Sequence, residues 1–258
     1  MIASREAEKW LAEISDTWAN IPIYSADSEK LRHLAVICDG NRRAARERNL
    51  PEFLGHRAGL EVIKGIACAG REWNINTLTF WVWSTENWER DKNQVGLVMK
   101  LANERLSKNE FKDELIQNEV RFKHLGRSDR LPAILCRRIS ELEHFTDSFS
   151  RFHLNLAMDY GGLDELARAV TKIKQSTADN RDPSMILDFL DTAGQPLPDL
   201  VIRTGVKDHE FPHTSGFMPL QTAYSSWIFT PDLFPNLTPE ILLKSITGFS
   251  EYHRRFGK

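Results

Sequence analysis

Residues 33–41 read HLAVICDGN, and this stretch decides the fold. The four apolar residues at 34–37 predict a buried strand, and the Asp-Gly pair at 39–40 predicts a sharp turn at its carboxyl end. In an open α/β sheet, ligands bind beyond the carboxyl ends of the strands. The stretch therefore predicts a buried strand and also the first place to look for a binding site.

Helical and strand patterns alternate along the rest of the chain. Further strands are predicted over 76–83, 119–124, 152–157, 199–205 and 225–229, and helices over 4–19, 55–73, 93–118, 129–145, 162–175 and 238–255, with a polar loop over 175–198. This alternation predicts an α/β fold in which a six-stranded, mostly parallel sheet is surrounded by helices. We see no internal repeat and no linker, so we expect a single domain over 1–258, in which 1–30 form an N-terminal helix and a connection.

Composition excludes several classes of protein. Hydrophobic residues make up 41% and charged residues 27%, as in a soluble globular protein, and the net charge of −2 offers no cationic field for nucleic acid. The three cysteines are far apart and indicate reduced thiols rather than a disulfide framework. No apolar run approaches the roughly 20 residues of a membrane span, and the N-terminus is charged where a signal peptide is apolar. We expect a cytoplasmic protein with at most peripheral membrane contact.

Polar groups follow four of the predicted strands, at 39–43, 84–90, 159–162 and 203–205. Three of these segments carry an arginine, which can clamp a phosphate, while Asp39 can hold a divalent cation. The alternative interpretation is structural: Asp39 caps a helix beside solvated arginines, and Ser84 or Thr85 forms a capping box. The convergence of three strand ends, each with an arginine, favours an anionic, phosphorylated ligand with a metal ion.

Several common chemistries have no motif in the sequence. The chain lacks a GxxxxGK[ST] phosphate loop, a GxGxxG turn, an HExxH zinc motif and a GxSxG nucleophile elbow. It also lacks a DDxxD-type aspartate pair, which excludes the magnesium cage of trans-type prenyl synthases.

The motifs together resemble the cis-prenyltransferase (undecaprenyl diphosphate synthase) family from His33 to Gly257. The matching stretches are HLAVICDGNRRAA, LGHRAG, LTFWVWSTENWER, LGRSDRLP, LAMDYGGLDEL, DLVIRTG, SGFMPLQTAYSSWIF and RRFG. The resemblance implies a hydrophobic tunnel for an isoprenoid tail, a homodimer and a requirement for Mg²⁺. It also implies transfer of a prenyl group from an allylic diphosphate to isopentenyl diphosphate.

Residue roles carry over from the same resemblance. Asp39 matches the catalytic, magnesium-binding aspartate, and Asn87 matches a catalytic residue in the loop that closes over the substrates. The implied substrate-binding residues are Gly40, Asn41, Arg42, Arg43, His56, Ser84, Trp88, Arg90, Arg203, Ser215, Arg255 and Gly257. Of these, Arg203 and Ser215 match groups that hold the acceptor, and the signature at 255–257 is expected to reach across the dimer. Trp81, Val82 and Trp83 line the implied tunnel and are bulkier than usual, so we expect C5–C20 chains.

The chain departs from the family pattern in four places. Glu52 stands where an arginine is usual, Ala44 replaces an aromatic residue, His213 falls where an arginine is expected, and Ser226 replaces a glutamate that completes the magnesium site. About four residues are also inserted within VKDHEFP at 206–212. The losses at 213 and 226 weaken acceptor binding, because each charge-assisted contact contributes about 1.5–3 kcal/mol.

These departures leave three hypotheses open. The first, which the sequence favours, is a prenyltransferase whose acceptor is a non-isoprenoid small molecule such as an aromatic. The second is a short-chain cis-prenyl diphosphate synthase with local compensation, and the third is a non-catalytic partner subunit. The inserted segment leaves two further interpretations, a metal-ligand cluster around His209 and His213 or a solvated lid loop. Cys38 is expected to be a structural thiol rather than a nucleophile.

Overall fold

The computed structural model describes residues 2–27, 29–176, 182–207 and 209–251. The described strands are β1 (His33–Ile37), β2 (Thr77–Ser84), β3 (Val120–Leu125), β4 (Phe152–Tyr160), β5 (Leu200–Arg203) and β6 (Ser226–Phe229). The described helices are α1 (Ile2–Trp18), α2 (Asn41–Glu47), α3 (Glu52–Glu72), α4 (Lys92–Leu106), α5 (Asn109–Gln117), α6 (Ala133–Thr146), α7 (Gly162–Gln175) and α8 (Pro239–Glu251). Short 3-10 helices span Thr85–Glu89, Pro183–Phe189 and Phe234–Asn236.

The strands form one six-stranded sheet in the order β3-β4-β2-β1-β5-β6. The pairs β1/β5, β3/β4 and β5/β6 are parallel. Every residue of β1 is buried, which agrees with a strand that is covered on both faces. The predicted six-stranded, mostly parallel sheet surrounded by helices is confirmed.

The described residues form two compact units. Unit 1 draws on 1–78, 199–212 and 226–258, and unit 2 draws on 79–198 and 213–225. A single domain over 1–258 stays a prediction.

Unit 1 is built on β1, β5 and β6 and contains α1, α2, α3 and α8. Helix α1 packs against α3 through buried Trp10, Ile14 and Trp18. The two helices come close because α3 has no side chain at Gly65, where a Cβ atom would lie 2.2 Å from Cγ of Trp18. The amphipathic N-terminal pattern therefore corresponds to a helix that is part of the core of this unit.

Unit 2 contains β3, β4 and most of β2 with α4 to α7. Its core includes an aromatic cluster in which the rings of Trp81 and Phe217 stack with centroids 5.0 Å apart, and Tyr160 meets Phe217 edge-on. Beneath this cluster lies the buried carboxyl of Glu165, which accepts hydrogen bonds from the hydroxyl of Tyr160 and the amide of Gln221. Burial raises the pKa of Glu165, although these hydrogen bonds oppose the shift.

Two of the predicted elements need correction. The single helix predicted over 93–118 is wrong, because the structure has two helices there. Helix α4 ends at Leu106, and Lys108, which has an extended backbone, is the N-cap residue of α5. The break lets Phe111 of α5 meet Phe122 of β3 edge-on, with ring centroids 6.1 Å apart. The loop predicted over 175–198 contains the 3-10 helix Pro183–Phe189. The sequence reasoning also missed α2, which is too short to show a periodic pattern.

Candidate functional site

In unit 1, one aspartate lies between two arginines near the adjacent ends of β1 and β5, one at the end of β5 and the other on α2. Strands β1 and β5 are parallel neighbours with Ile37 opposite Arg203. Asp39, two residues after the end of β1, therefore lies near the end of β5. Oδ1 of Asp39 is 3.4 Å from Nη2 of Arg43, and its Oδ2 is 3.7 Å from Nη2 of Arg203. The carboxylate is about half exposed, whereas the Arg203 side chain is mostly buried. The arrangement can bind an anion through the arginines and a cation through the carboxylate.

The turn that carries this aspartate is fixed by short backbone contacts. Gly40 has φ 103°, a left-handed conformation that favours glycine, and a Cβ atom there would lie 2.9 Å from Cα of Leu233. The hydroxyl of Thr204 accepts from Asp39 N at 3.0 Å and donates to its carbonyl at 2.7 Å. The carbonyl of Gly205 accepts from Arg43 at 2.7 Å. The N-cap residue of α2 is Gly40, not Asp39, and no side chain caps this helix. The interpretation of Asp39 as a helix cap is therefore not supported.

Two glycines of α3 bring the start of α2 into close contact. A Cβ atom at Gly55 would lie 1.9 Å from the backbone oxygen of Asn41, and one at Gly59 would lie 2.5 Å from its side-chain oxygen. His56 lies between these glycines on α3 and is half-buried. The motif LGHRAG thus contributes helix packing through its glycines and places the predicted histidine near Asn41.

Glu52, one of the four departures, has a local partner in unit 1. Its carboxylate lies 3.6 Å from Nη1 of Arg42 and 3.3 Å from Nε of Arg46. Arg42, predicted to bind substrate, is thus paired with a carboxylate. Ala44, another departure, is fully buried in α2.

In unit 2, a buried aspartate near the end of β4 organises a second cluster with residues that follow β2 and β3. Asp159 has no exposed surface and a left-handed φ of 54°. Its carboxylate accepts from Nε1 of Trp88 at 2.8 Å and pairs through both oxygens with the guanidinium of Arg130, including a 2.9 Å bond from Nε. The Arg130 guanidinium also lies 5.6 Å from the centroid of the Trp88 ring. Trp88 is therefore held by a buried charge pair.

The remaining predicted residues of the 84–90 segment have structural partners in the same unit. Oδ1 of Asn87 accepts from the backbone N–H of Ser84 at 3.2 Å, so the capping-box alternative is confirmed, with Asn87 in the place of an acidic residue. Arg90 lies over the ring of Trp83 at 5.2 Å. Their functional roles stay predictions.

Asp159 and Arg130 are the residues that sequence reasoning missed. Asp159 begins one of the polar segments after a predicted strand, and Arg130 lies in the quoted LGRSDRLP stretch. A polar residue at the end of a buried strand was the available signal. Nothing in local spacing showed that these two side chains pair with each other.

The acceptor-side predictions fall partly outside the described residues. Ser215 has a left-handed φ of 52°, and its hydroxyl lies 3.1 Å from Nδ1 of His213 on an exposed segment of unit 2. Ser226, in unit 1, begins β6 and donates its backbone N–H to the carbonyl of Asp199. Arg255 and Gly257 lie outside the described residues.

Within the ranges that the structure describes, no group of three or more His, Cys, Asp or Glu side chains could hold a metal ion. Mg²⁺ is commonly bound by one or two carboxylates together with waters and substrate phosphates. The half-exposed carboxylate of Asp39 fits such a shared site. In the inserted segment, Asp208 lies outside the described residues and Glu210 pairs with Lys207 at 3.3 Å. Burial raises the pKa of the Cys38 thiol, and the charge of Asp39 adds to this shift, as expected for a structural thiol.

The predicted tunnel residues occupy β2. Trp81 and Trp83 are buried, and Val82 is half-buried. The indole N–H of Trp81 donates to the carbonyl of Tyr160 at 3.2 Å, and Trp83 meets Trp88 edge-on at 5.9 Å. A tunnel along this strand stays a prediction.

Comparisons with known proteins agree on one family. A family model described as "Putative undecaprenyl diphosphate synthase" matches residues 37–257. The chain is 37% identical over 226 residues to an isoprenyl transferase of Aquifex aeolicus, covering 88% of this chain and 95% of that protein. It is 36% identical over 231 residues to an isoprenyl transferase of Bacillus thuringiensis subsp. konkukian, covering 87% of each.

Two solved structures share the fold. Lavandulyl diphosphate synthase from Lavandula x intermedia, in complex with dimethylallyl diphosphate, has a TM-score of 0.82 at 28% identity and covers 90% of this chain and 100% of its own. A probable undecaprenyl diphosphate synthase from Campylobacter jejuni has a TM-score of 0.72 at 28% identity, with coverage of 88% and 99%.

The sheet and these matches define an enzyme of the prenyltransferase class. The chain belongs to the undecaprenyl diphosphate synthase family, the cis-prenyltransferases. Along the described ranges, no helix is both long enough and apolar enough to cross a membrane.

Proposed function

We propose that this protein is a short-chain cis-prenyl diphosphate synthase that transfers a prenyl group from an allylic diphosphate to isopentenyl diphosphate. The observation that carries the proposal is the carboxylate of Asp39 between Arg43 and Arg203 in a chain of this family. The likeness to a lavandulyl diphosphate synthase bound to dimethylallyl diphosphate supports a short donor.

Arg43, on the donor side of the predicted site, supplies positive charge that the reaction needs, while Arg203 is predicted to hold the acceptor's diphosphate. As the C–O bond of the allylic diphosphate breaks, its electron pair leaves with the diphosphate, and fixed positive groups stabilise that developing charge. The π electrons of the acceptor's double bond then form the new C–C bond, and the acceptor loses a proton, which the released diphosphate can take up. Mg²⁺ held by Asp39 would add positive charge at the leaving group. Arg43 is itself held by the carbonyl of Gly205, which orients its guanidinium before substrate arrives.

Bulky residues on β2 support a short chain length. Trp81 and Trp83 are buried and contact aromatic neighbours, and their bulk would shorten a tunnel along that strand. We therefore propose donors and products of C5–C20 rather than C50 or longer.

A second candidate, prenyl transfer to a non-isoprenoid acceptor such as an aromatic, is favoured by one observation. Ser226 and His213 stand where the family pattern has a metal-binding carboxylate and an arginine, so the acceptor's diphosphate loses two of its binding groups. An aromatic nucleophile needs positioning more than charge neutralisation. A non-catalytic partner subunit is disfavoured, because the donor-side residues are retained.

The test is incubation of the purified protein and Mg²⁺ with radiolabelled C5–C15 allylic diphosphates, with and without isopentenyl diphosphate. We expect a C10–C20 diphosphate product that depends on isopentenyl diphosphate. Asp39→Ala should abolish turnover, whereas Asp27→Ala, which removes a surface carboxylate beside Lys30, should leave it near the wild-type rate. Products of C50 or longer would contradict the proposed length, and calorimetry without heat for every allylic diphosphate would contradict donor binding.

A gain-of-function variant tests which acceptor the protein uses. Ser226→Glu combined with His213→Arg restores the two binding groups of the family pattern and should raise the apparent affinity for isopentenyl diphosphate. Ala223→Glu adds a carboxylate at a nearby exposed position and should not. Turnover with an aromatic acceptor but none with isopentenyl diphosphate would favour the second candidate.

We also propose a cytoplasmic homodimer, as the family resemblance implies. Sedimentation equilibrium should give twice the chain mass of 29.7 kDa. A monomer that retains full turnover would contradict the expectation that residues 255–257 reach the partner's site.

A further inference from the structure

Helix α1 precedes residue 37, where the family match begins, yet it contacts two segments that frame the Asp39 turn. The first contact is made by Trp18 at the end of the helix. Its ring occupies the space left by Gly65 on α3, and its indole N–H donates to the carbonyl of Leu237 at 3.2 Å. Trp18 is 5% exposed, so solvent does not compete strongly for this bond.

The segment that receives this bond backs the aspartate turn directly. Leu237 N–H donates to the carbonyl of Phe234, which closes a 3-10 turn. Phe234 N–H in turn donates to the carbonyl of Asp39 at 2.9 Å, and Leu233 packs against Gly40 so tightly that no Cβ atom fits there. A continuous series of hydrogen bonds therefore links Trp18 to the backbone of Asp39.

The second contact holds the far end of α2. The guanidinium of Arg48, the residue that caps α2, lies 4.7 Å from the ring centroid of Trp10. Helix α2 carries Arg43, and its first residue follows Gly40. Helix α1 thus contacts the end of the helix that presents the arginine as well as the segment behind the aspartate.

We infer that Trp18 is a positioning residue for diphosphate binding: through Leu237 and Phe234 it fixes the backbone that carries Asp39. The inference rests on the proposed function, in that the Asp39 turn binds diphosphate. Loss of one buried hydrogen bond should weaken that binding about threefold to tenfold.

The experiment compares two identical substitutions. Trp18→Phe keeps a ring over Gly65 but removes the indole N–H and part of the ring volume. Trp73→Phe makes the same change in size and removes an equivalent bond, 2.8 Å to the carbonyl of Pro22, at the far end of α3, so it controls for the lost volume. Hydrogen exchange is measured for backbone amides of 37–44 and 230–238, and calorimetry measures binding of inorganic pyrophosphate with Mg²⁺. Only Trp18→Phe should speed exchange in both segments and weaken pyrophosphate binding.

The two readouts separate the inference from the proposed function. Unchanged exchange in Trp18→Phe, or equal acceleration in Trp73→Phe, overturns the inference whatever the binding result. Faster exchange with unchanged pyrophosphate affinity overturns it as well. If the wild-type protein binds no pyrophosphate, the proposed function fails, and with it the role of Trp18 in diphosphate binding. This holds even if hydrogen exchange is faster in Trp18→Phe, which would show only that Trp18 orders the Asp39 turn. Gly65→Ala, which displaces the indole from the α3 side, should reproduce the effects of Trp18→Phe.

Discussion

Removing the carboxylate of Asp159 should destabilise unit 2 strongly. Asp159 is fully buried, and its loss leaves the indole N–H of Trp88 and the guanidinium of Arg130 without the partner they share. Breaking a buried ion pair on one side costs about 3–5 kcal/mol. Because the Arg130 side chain is 35% exposed and can regain water, we expect about 2–4 kcal/mol for Asp159→Ala.

The backbone adds a smaller contribution that can be separated. Asp159 has a φ of 54°, which alanine adopts at a cost of about 1 kcal/mol and glycine adopts freely. Asp159→Gly should therefore lose the carboxylate's contacts with Arg130 and Trp88 without this cost in backbone strain. Asp159→Asn preserves an acceptor for Trp88 and tolerates the same φ, so it should be the mildest of the three variants.

Thermal unfolding, followed by circular dichroism, is the assay. A loss of about 3 kcal/mol lowers the Tm of a chain of this size by roughly 6–12 °C. Asp129→Ala is the matched control, because its pair with Arg127 lies at the surface and should leave Tm close to the wild-type value. The reasoning is refuted if Asp159→Ala lowers Tm no more than Asp129→Ala. Asp159→Gly, which removes the acceptor of the Trp88 indole, should also raise KM for the allylic substrate, since Trp88 belongs to the loop predicted to close over it.

Two further outcomes follow from contacts within single units. Burial lowers the pKa of His124. As the pH falls, the unfolded chain therefore takes up a proton at this histidine before the folded chain does. The free energy of unfolding should be constant near pH 7 and decrease below about pH 6.5. His124→Gln should flatten that fall in urea titrations, and a slope equal to that of the surface variant His144→Gln would contradict this. Gly55→Ala forces a methyl group against the backbone of Asn41 and should cost about 1–3 kcal/mol and weaken diphosphate binding, whereas Gly248→Ala, which faces open space in α8, should not; equal effects would contradict the close helix approach.

Strands and their ends were predictable because apolar runs and polar ends are local signals. The run at 34–37 identified β1, and the polar residues at the ends of β1 and β5 include Asp39 and Arg203, which lie 3.7 Å apart. Local signals could not show which side chains pair across elements. The bonds of Asp159 to Arg130 and Trp88 join residues 29 and 71 positions away. The break at Lys108 likewise depends on where Phe111 must pack, which no periodicity in α4 or α5 reveals.

The way the aspartate turn is closed has a consequence for biosynthesis. Asp39 and Thr204, which bond to each other, are 165 residues apart, and Leu233 comes later still. At about 5–20 residues per second, a ribosome needs on the order of 10–30 s to add the second strand after the first. During that time the edge of β1 that pairs with β5 has no partner. The large sequence separation between the two strands slows their pairing further. The nascent chain should therefore depend on chaperones that shield residues 33–37 until β5 has emerged.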